Sequence, residues 1–546
     1  MDFNSIKLDQ IDFSDLGQIQ KRLIDNFGLD VQNSLYYMLL LHQLGSTKKP
    51  LPIVENIKEK GYLPLAIPGS QDKLKINITP YSDILSSNFS TSNSKLKIRP
   101  LLAGLGTSVK RGSHIETHGG RDQDSLGTKS TDLFIQTEGA TYSIFDLLLL
   151  QLSHLSKTEN RLIEFEPLVS PQTKDLIKGL VNNSEEFHSD FNFQEMKLQE
   201  FVPVYIETEN QITNRFTAPA GHGFFGFKAL LDIIESGSSS DIYVICNGED
   251  INAVPPSITY DWFESIEEPI CMITTRKTKV DKKGGQICVV SEDNETYVTI
   301  LEKAQAESNG QLDLFYELGL REQDDQSLFN TNTVLIHSGR LLKILKEHGQ
   351  SKVSEELLSS LKPDLIKNKK IKGSNQEVVQ LEGAMGSVML NLDRWFRKEF
   401  DQPMVAFLNV DPKNRSHFFS PIKTAFDFIH KFNSNRFLLE NFRLKDKSPG
   451  LQVSINLQDP SGTIDYDDVE TCLRYFSGCR LKDLESLQVT GPVDFSDTTL
   501  SGKVIINNPS SETFYLYGFG RTHGPTDPKN IKIDLSGDSN YIVEDI

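Results

Sequence analysis

A doubly wound α/β core on a mixed, mainly parallel sheet is the fold class that the sequence predicts, and three observations predict it. Between about Ser94 and Phe432, short β-branched or aliphatic runs alternate with longer stretches of helical periodicity, which is the pattern of βαβ units. Leu96–Leu102 reads as a strand that enters a glycine turn, AGLGTS. Ile242–Cys246, flanked by Asp241 and Asn247, is apolar on both faces, as a strand covered by helices on each side must be.

The elements follow in chain order. From Met1 the pattern is helical, with Leu23, Ile24 and Phe27 and then Leu35, Met38, Leu39 and His42 at i, i+3, i+4 spacings. After Lys48 it loosens into a Pro- and Ser-rich passage ending in SSNFSTSNS, which sets a first boundary and a mainly helical, then irregular N-terminal region over 1–92. The core occupies 93–432, and within it Phe225–Ile234 is a helix with an apolar stripe, stopped by Gly237. From 433 to 546 the character changes to short β-prone pieces, LQVSINL, LQVTGPVDF, LSGKVIINNP and FYLYGFG, separated by Gly, Pro, Asn and Asp. A β-rich C-terminal domain follows, β-helix-like in the stacking of its short strands.

Composition narrows the function. A chain of 546 residues with 38% hydrophobic and 24% charged residues is an ordinary globular composition, long enough for roughly three domains. The formal net charge of −18 repels a phosphate backbone, so nucleic acid is not an expected partner. A small phosphorylated substrate fits, because a few local cations and backbone N–H groups suffice to hold it. Cys246, Cys271, Cys288, Cys472 and Cys479 show no CxxC pairing and read as reduced thiols. The apolar stretches Tyr36–Leu41 and Ile144–Leu152 are too short to span a membrane, and the opening MDFNSIKLDQ lacks the pattern of a secretory signal. The expectation is a cytoplasmic enzyme with no membrane partner.

The sharpest local feature is Leu101 to Ser108, with Gly104 and Gly106 after a strand. Glycines there permit positive φ and close backbone approach, so that N–H groups can face phosphate oxygens. It is neither a Walker loop nor a GxGxxG fingerprint, and on its own a tight turn explains it equally well. His114 and His118 stand four apart in a glycine-rich stretch, which reads as a solvated loop rather than a metal pair.

The turn resembles the L-x-G-G-L-G-T-S-M-G loop of the UDP-sugar pyrophosphorylases, the uridylyltransferases that act on glucose 1-phosphate or N-acetylglucosamine 1-phosphate. Gly127-Thr128-Lys129-Ser130 is similar to their Gly-Pro-Lys-Ser element, and Ala218-Pro219-Ala220-Gly221-His222-Gly223 to their P-x-G-H-G loop. Asn247-Gly248-Glu249-Asp250 resembles the strand end N-x-D-N. Lys283-Gly284-Gly285, Leu301-Glu302-Lys303, Phe329-Asn330-Thr331-Asn332, Gln380-Leu381-Glu382-Gly383 and Ser420-Pro421-Ile422-Lys423 complete the series in order.

The resemblance implies a Rossmann-like nucleotidyltransferase core that makes UDP-sugar and pyrophosphate from UTP and a sugar 1-phosphate, with Mg2+ as cofactor. In that light Lys129 and Lys423 are the catalytic cations. Leu102, Ala103, Gly104, Gly106, Thr107, Gly221, His222 and Asn247 bind the nucleotide. Gly223, Gly285, Glu302, Asn330 and Asn332 serve the sugar, and Glu249 or Asp250 anchors the metal. The NTN and QLE elements lean towards glucose 1-phosphate, the SPIK form towards the amino sugar.

Four departures bear on this reading. Ala103 adds a methyl group to the loop, and Glu249 is one methylene longer than the family's aspartate. An insertion over about 110–126 brings Lys110, Arg111 and Arg121, which are expected to share the phosphate grip or to form a lid. The glutamine that reads uracil in the family's F-x-Q pattern is met by proline in Phe201-Val202-Pro203. These departures also suit a relative that has lost catalysis and serves as a nucleotide-sugar sensor or scaffold, or a transferase for another nucleotide or acceptor.

Overall fold

A computed structural model describes residues 4–46, 63–64, 74–91, 94–106, 109–110, 127–136, 140–238, 241–277, 281, 284–292, 295–308, 310–317, 320, 327–372, 376–432, 437–447, 453–516, 529–534 and 542–545. Thr107 and the stretch 111–126, with Arg111, His114, His118 and Arg121, lie outside them.

The strands that place the site are β1 (Ile78–Pro80), β2 (Lys95–Leu101), β3 (Leu168–Val169), β4 (Lys197–Leu198), β5 (Phe201–Ile206), β6 (Gln211–Pro219), β7 (Asp241–Asn247), β8 (Ile270–Arg276) and β9 (Gly285–Glu292). Further along come β10 (Glu295–Glu302), β11 (Leu328–His337), β12 (Leu365–Lys372), β13 (Gln376–Gly383) and β14 (Val405–Val410). The helices are α1 (Leu16–Phe27), α2 (Val31–Ser46), α3 (Ile144–Glu159), α4 (Gly223–Ser236), α5 (Met385–Phe400) and α6 (Ala425–Phe432).

The main sheet runs β4-β3-β2-β7-β11-β8-β14-β1, with β9 paired to β11 and β10 paired to β9. Neighbours β2 and β7 are parallel, as are β8 and β14, whereas β11 runs antiparallel to both β7 and β8. The carboxyl ends of β2, β7, β8 and β14 therefore share one edge, and the reversed β11 brings its first residues to that same edge. Register fixes the details: Leu101 stands opposite Asn247, and Asn330 opposite Thr274 beside a register shift.

Strand β7 shows why the sheet is doubly wound. Ile242, Val244 and Cys246 enter one hydrophobic cluster while Tyr243 and Ile245 enter another, as the two-residue period of a strand requires when both faces are covered. Each such side chain, fully buried, contributes about 1.5–3 kcal/mol. The predicted helix at 225–234 is α4, which ends at Gly237 in the left-handed conformation, φ 63°. A capping box between Ser143 and Asp146 starts α3, and Asn160 at φ 53° ends it.

A second, five-stranded sheet contains β6, β5, β13 and β12 in that order, next to a short strand at Ser5–Lys7. The expected N-terminal region is not set apart from this body. Tyr36, Tyr37 and Leu40 of α2 share a cluster with Phe224 and Phe227 of α4, and β1 pairs with β14 at the edge of the main sheet. The C-terminal region is β-rich, as expected. β15 (Ser454–Gln458), β16 (Arg480–Thr490), β17 (Thr499–Asn507) and β18 (Lys529–Asp534) pair in parallel, each with the next. Leu487, Val489, Val504 and Ile506 of this sheet join Phe426 and Ile429 of α6 in one cluster. No helix among the described residues is long and apolar enough to cross a membrane.

Candidate active site

The glycine turn after β2 lies where the two carboxyl strand ends meet. Gly106 takes φ 64°, and a Cβ there would stand 2.5 Å from the Cβ of Lys129 and 2.7 Å from Glu249 Oε1. Only a residue without a side chain fits this crossing without displacing its neighbours. Gly104 is exposed beside it. Ala103 is held from behind, its carbonyl accepting the Ser170 hydroxyl at 2.8 Å.

Three segments distant in sequence converge at this turn. Lys129, which opens a single helical turn behind the Thr128 cap, is nearly buried. Its ammonium pairs with Glu249 Oε2 at 2.7 Å and donates to the Ile422 carbonyl at 2.7 Å. The next residue is Lys423, whose ammonium lies 5.7 Å from the ring centre of Phe329 and 5.5 Å from that of Phe419. Burial pushes the Lys423 ammonium below its ordinary pKa; Asp281 and Asp427 oppose this, while Arg415 and Lys129 add to it. The sequence places Lys129 and Lys423 in separate motifs, and the fold brings the Lys129 ammonium onto the carbonyl of the residue before Lys423.

The two neighbouring carboxylates expected to anchor a metal are placed differently. Glu249 faces the turn, its amide fixed by Asn247 Oδ1 at 3.1 Å. Asp250 is engaged elsewhere: both of its oxygens accept the Ser420 amide, at 2.8 and 3.0 Å, and Oδ1 also accepts from Asn252 N. Its carboxylate is an anchor for the Ser420–Lys423 segment. No group of three or more His, Cys, Asp or Glu placed to hold a metal occurs among the described residues. A hard divalent cation suits what is present only if phosphate oxygens and water complete a set begun by Glu249, as magnesium commonly requires.

The Gly221–Gly223 loop is built by close packing. A Cβ on Gly221 would stand 2.9 Å from the Gly383 carbonyl, and one on Gly223 would collide with the Tyr36 hydroxyl and Gly383. Gly223 is buried there, and its lack of a side chain lets α4 start beneath the end of β13. His222 is exposed at the mouth of the loop. Leu102 is anchored in the sheet, its amide donating to Leu168 O at 2.8 Å and its side chain buried.

The predicted sugar residues form a second group at the same sheet edge. Gly285 pairs with Glu302 in the β9–β10 ladder, and a Cβ on Gly285 would stand 2.7 Å from Glu302 Oε1. Burial raises the Glu302 carboxyl to about 7, against the pull of Lys423 and Lys277. Asn330 donates to Asn332 Oδ1 at 2.8 Å while Asn332 N donates to Asn330 Oδ1 at 3.1 Å, so the pair fixes itself with Asn332 at φ 60°.

Several residues escaped the sequence reading. Gln199, 2% exposed, donates its amide to Gly221 O at 2.7 Å, just before the Pro203 that was taken to replace the expected glutamine. Pro203 itself is a strand residue whose carbonyl accepts the Tyr37 hydroxyl at 2.6 Å. Reading the pattern from Phe201 missed a glutamine two residues earlier. Arg415 makes a two-pronged pair with Asp281, at 2.7 and 2.8 Å, beside Lys423. Lys431 on α6 donates to Pro421 O at 2.5 Å, its pKa pushed down to about 8 by burial. Lys110 is corrected outright: it pairs with Asp465 of the C-terminal region at 2.6 Å rather than joining the phosphate grip.

A family profile described as UTP–glucose-1-phosphate uridylyltransferase matches residues 115–500. Among solved structures, UDP-glucose phosphorylase from Trypanosoma brucei is similar with a TM-score of 0.62 and 20% identity, covering 95% of this chain and 99% of that one. Open and closed structures of UDP-glucose pyrophosphorylase from Leishmania major give 0.63 and 20%, over 96% and 98% of the two chains. A variant of the Leishmania major protein in complex with UDP-glucose gives 0.62 and 19%, over 95% and 98%. These likenesses show the fold. No curated protein matches the chain.

Proposed function

The chain belongs to the UTP–glucose-1-phosphate uridylyltransferase family, and from that membership and the geometry of its site we propose that it joins UTP to glucose 1-phosphate, releasing pyrophosphate. The observation that carries this reading is the meeting of the Gly104–Gly106 turn with Lys129 and the Lys423 segment, joined by the 2.7 Å bond from Lys129 to Ile422. UDP-glucose, bound by a similar structure, is the product the reading assigns to this site.

In the reaction an oxygen of the sugar phosphate attacks the α-phosphorus of UTP, the new P–O bond forms, and the bond to the β-phosphate breaks. Such a displacement needs in-line placement and neutralisation of developing charge more than a nucleophilic side chain. The turn at Gly104 and Gly106 gives backbone room for the phosphates. Lys129 faces the leaving pyrophosphate, and Lys423 stands between the two reacting phosphates as a point charge. Magnesium, when bound, supplies charge neutralisation across phosphate oxygens, and Glu249 is the carboxylate that would hold it.

Gln199, Gly221 and His222 are assigned to the base, where a side-chain amide matches the mixed donors and acceptors of uracil. Glu302, Asn330, Asn332 and Gly285 are assigned to the sugar. The catalytic unit is read as 93–432, followed by a tail whose parallel strands β15 to β18 are read as β-helix-like coils. Pyrophosphate release from UTP, measured with glucose 1-phosphate and N-acetylglucosamine 1-phosphate in parallel, tests the proposal. Turnover at least tenfold faster with glucose 1-phosphate supports it, and no release with either sugar refutes it.

A further inference from the structure

The segment Ser420–Thr424, which carries Lys423, is gripped along its backbone by four charged side chains from three separate places. Asp250 accepts the Ser420 amide, and Lys431 donates to the Pro421 carbonyl at 2.5 Å. Lys129 donates to the Ile422 carbonyl at 2.7 Å. Asp427 accepts both the Lys423 and the Thr424 amides at 2.9 Å. Five consecutive residues thus have a main-chain group bonded to an ionised or ionisable side chain, where loops ordinarily rely on water and on their own turns.

Two of these four grips have a function in the site already: Lys129 faces the phosphates, and Asp427 caps the helix that follows. Asp250 and Lys431 have none. Both side chains are largely withdrawn from water, and they lie at the same end of the segment, where Asp250 and Pro421 also form an isolated antiparallel bridge. Each is a costly residue to bury, and a neutral side chain would fill either place more cheaply unless the charge–backbone bond matters.

We infer that Asp250 and Lys431 are positioning residues for the transfer step, fixing the Ser420–Pro421 end of the segment so that the Lys423 ammonium is held where the reacting phosphates meet. The inference rests on the uridylyltransferase reading. Neither residue touches substrate. They act through the main chain, so their loss lowers kcat by misplacing a charge rather than by removing one. A displacement of about 1 Å is enough to lose on the order of a hundredfold.

The test uses the full chain and four variants, Asp250→Ala, Asp250→Asn, Lys431→Met and Lys431→Gln, measured for kcat, for KM towards UTP, for the magnesium concentration giving half-maximal rate, and for amide exchange of Ser420, Lys423 and Thr424. Truncation by Asp250→Ala or Lys431→Met is expected to speed exchange and to lower kcat about thirty- to a hundredfold, with KM within about threefold. Asp250→Asn keeps an acceptor and Lys431→Gln keeps a donor, and each is expected to recover at least half of the lost kcat on a logarithmic scale. An unchanged KM also shows that the truncated variants are folded. Unaltered kcat in both truncations overturns the inference alone. A tenfold higher magnesium requirement in the Asp250 variants, with kcat restored at saturation, also overturns it by making Asp250 a ligand. A parent chain that transfers no uridylyl group removes the functional reading and the inference together.

Discussion

The ammonium of Lys129 donates to the carbonyl oxygen of Ile422 at 2.7 Å, across 293 positions of sequence. That bond ties the element beside the glycine turn to the segment bearing Lys423, and the same ammonium pairs with Glu249. One side chain, itself assigned to the leaving pyrophosphate, thus connects the groups assigned to the nucleotide phosphates, the two reacting phosphates and the metal. The consequence is that these groups should respond to substitution as a unit.

Lys423→Ala should lower kcat by on the order of a hundredfold while leaving UTP affinity within a few-fold, because the lost charge acts on the transition state more than on the ground state. Steady-state kinetics with glucose 1-phosphate check this. Near-parental turnover would remove Lys423 from the mechanism.

Gly106→Ala should be damaging beyond the size of a methyl group. The left-handed conformation costs an L-residue about 1–2 kcal/mol, and the new Cβ would press on Lys129 and Glu249 together. Calorimetric titration with UTP should show affinity at least tenfold weaker, and unchanged binding would mean that the turn does not carry the phosphates.

How much of this the chain discloses before folding depends on the kind of contact. Strand β7, strand β2 and helix α4 are legible because burial on both faces, entry into a glycine turn and a glycine stop, respectively, are local signals. Lys129, Glu249 and Lys423 are legible only as parts of short ordered motifs, since nothing local marks a lysine as buried. Asp250 and Lys431 left no such mark: the first looked like a spare metal ligand, and the second sits among ordinary helix residues. The burial of Gly223 and Leu102 was not legible, because a motif records that a residue is required without saying whether it meets ligand or protein.

Glu249→Gln should raise the magnesium concentration needed for half-maximal rate by about tenfold, since a neutral amide is a poorer ligand for a hard cation. Rates measured across a magnesium series check this. An unshifted requirement would place the metal elsewhere.

Glu302 gives a pH-dependent signature. Its carboxyl titrates near 7 in the folded protein against an ordinary 4.5, so between those values the native state holds a proton that the unfolded chain releases. Stability should therefore fall as pH rises through that window. Glu302→Gln lacks this penalty, and its melting temperature minus that of the parent should increase from about pH 4.5 to 7 and then level off. A difference that stays flat would mean the carboxylate is already ionised in the native state.

Crystals grown with UDP-glucose offer the most direct test, because the distances can be read without kinetic interpretation. The account predicts the diphosphate lying against the Gly104–Gly106 turn, with the Lys423 ammonium within hydrogen-bonding reach of its oxygens. A nucleotide sugar bound with its phosphates away from both would contradict it.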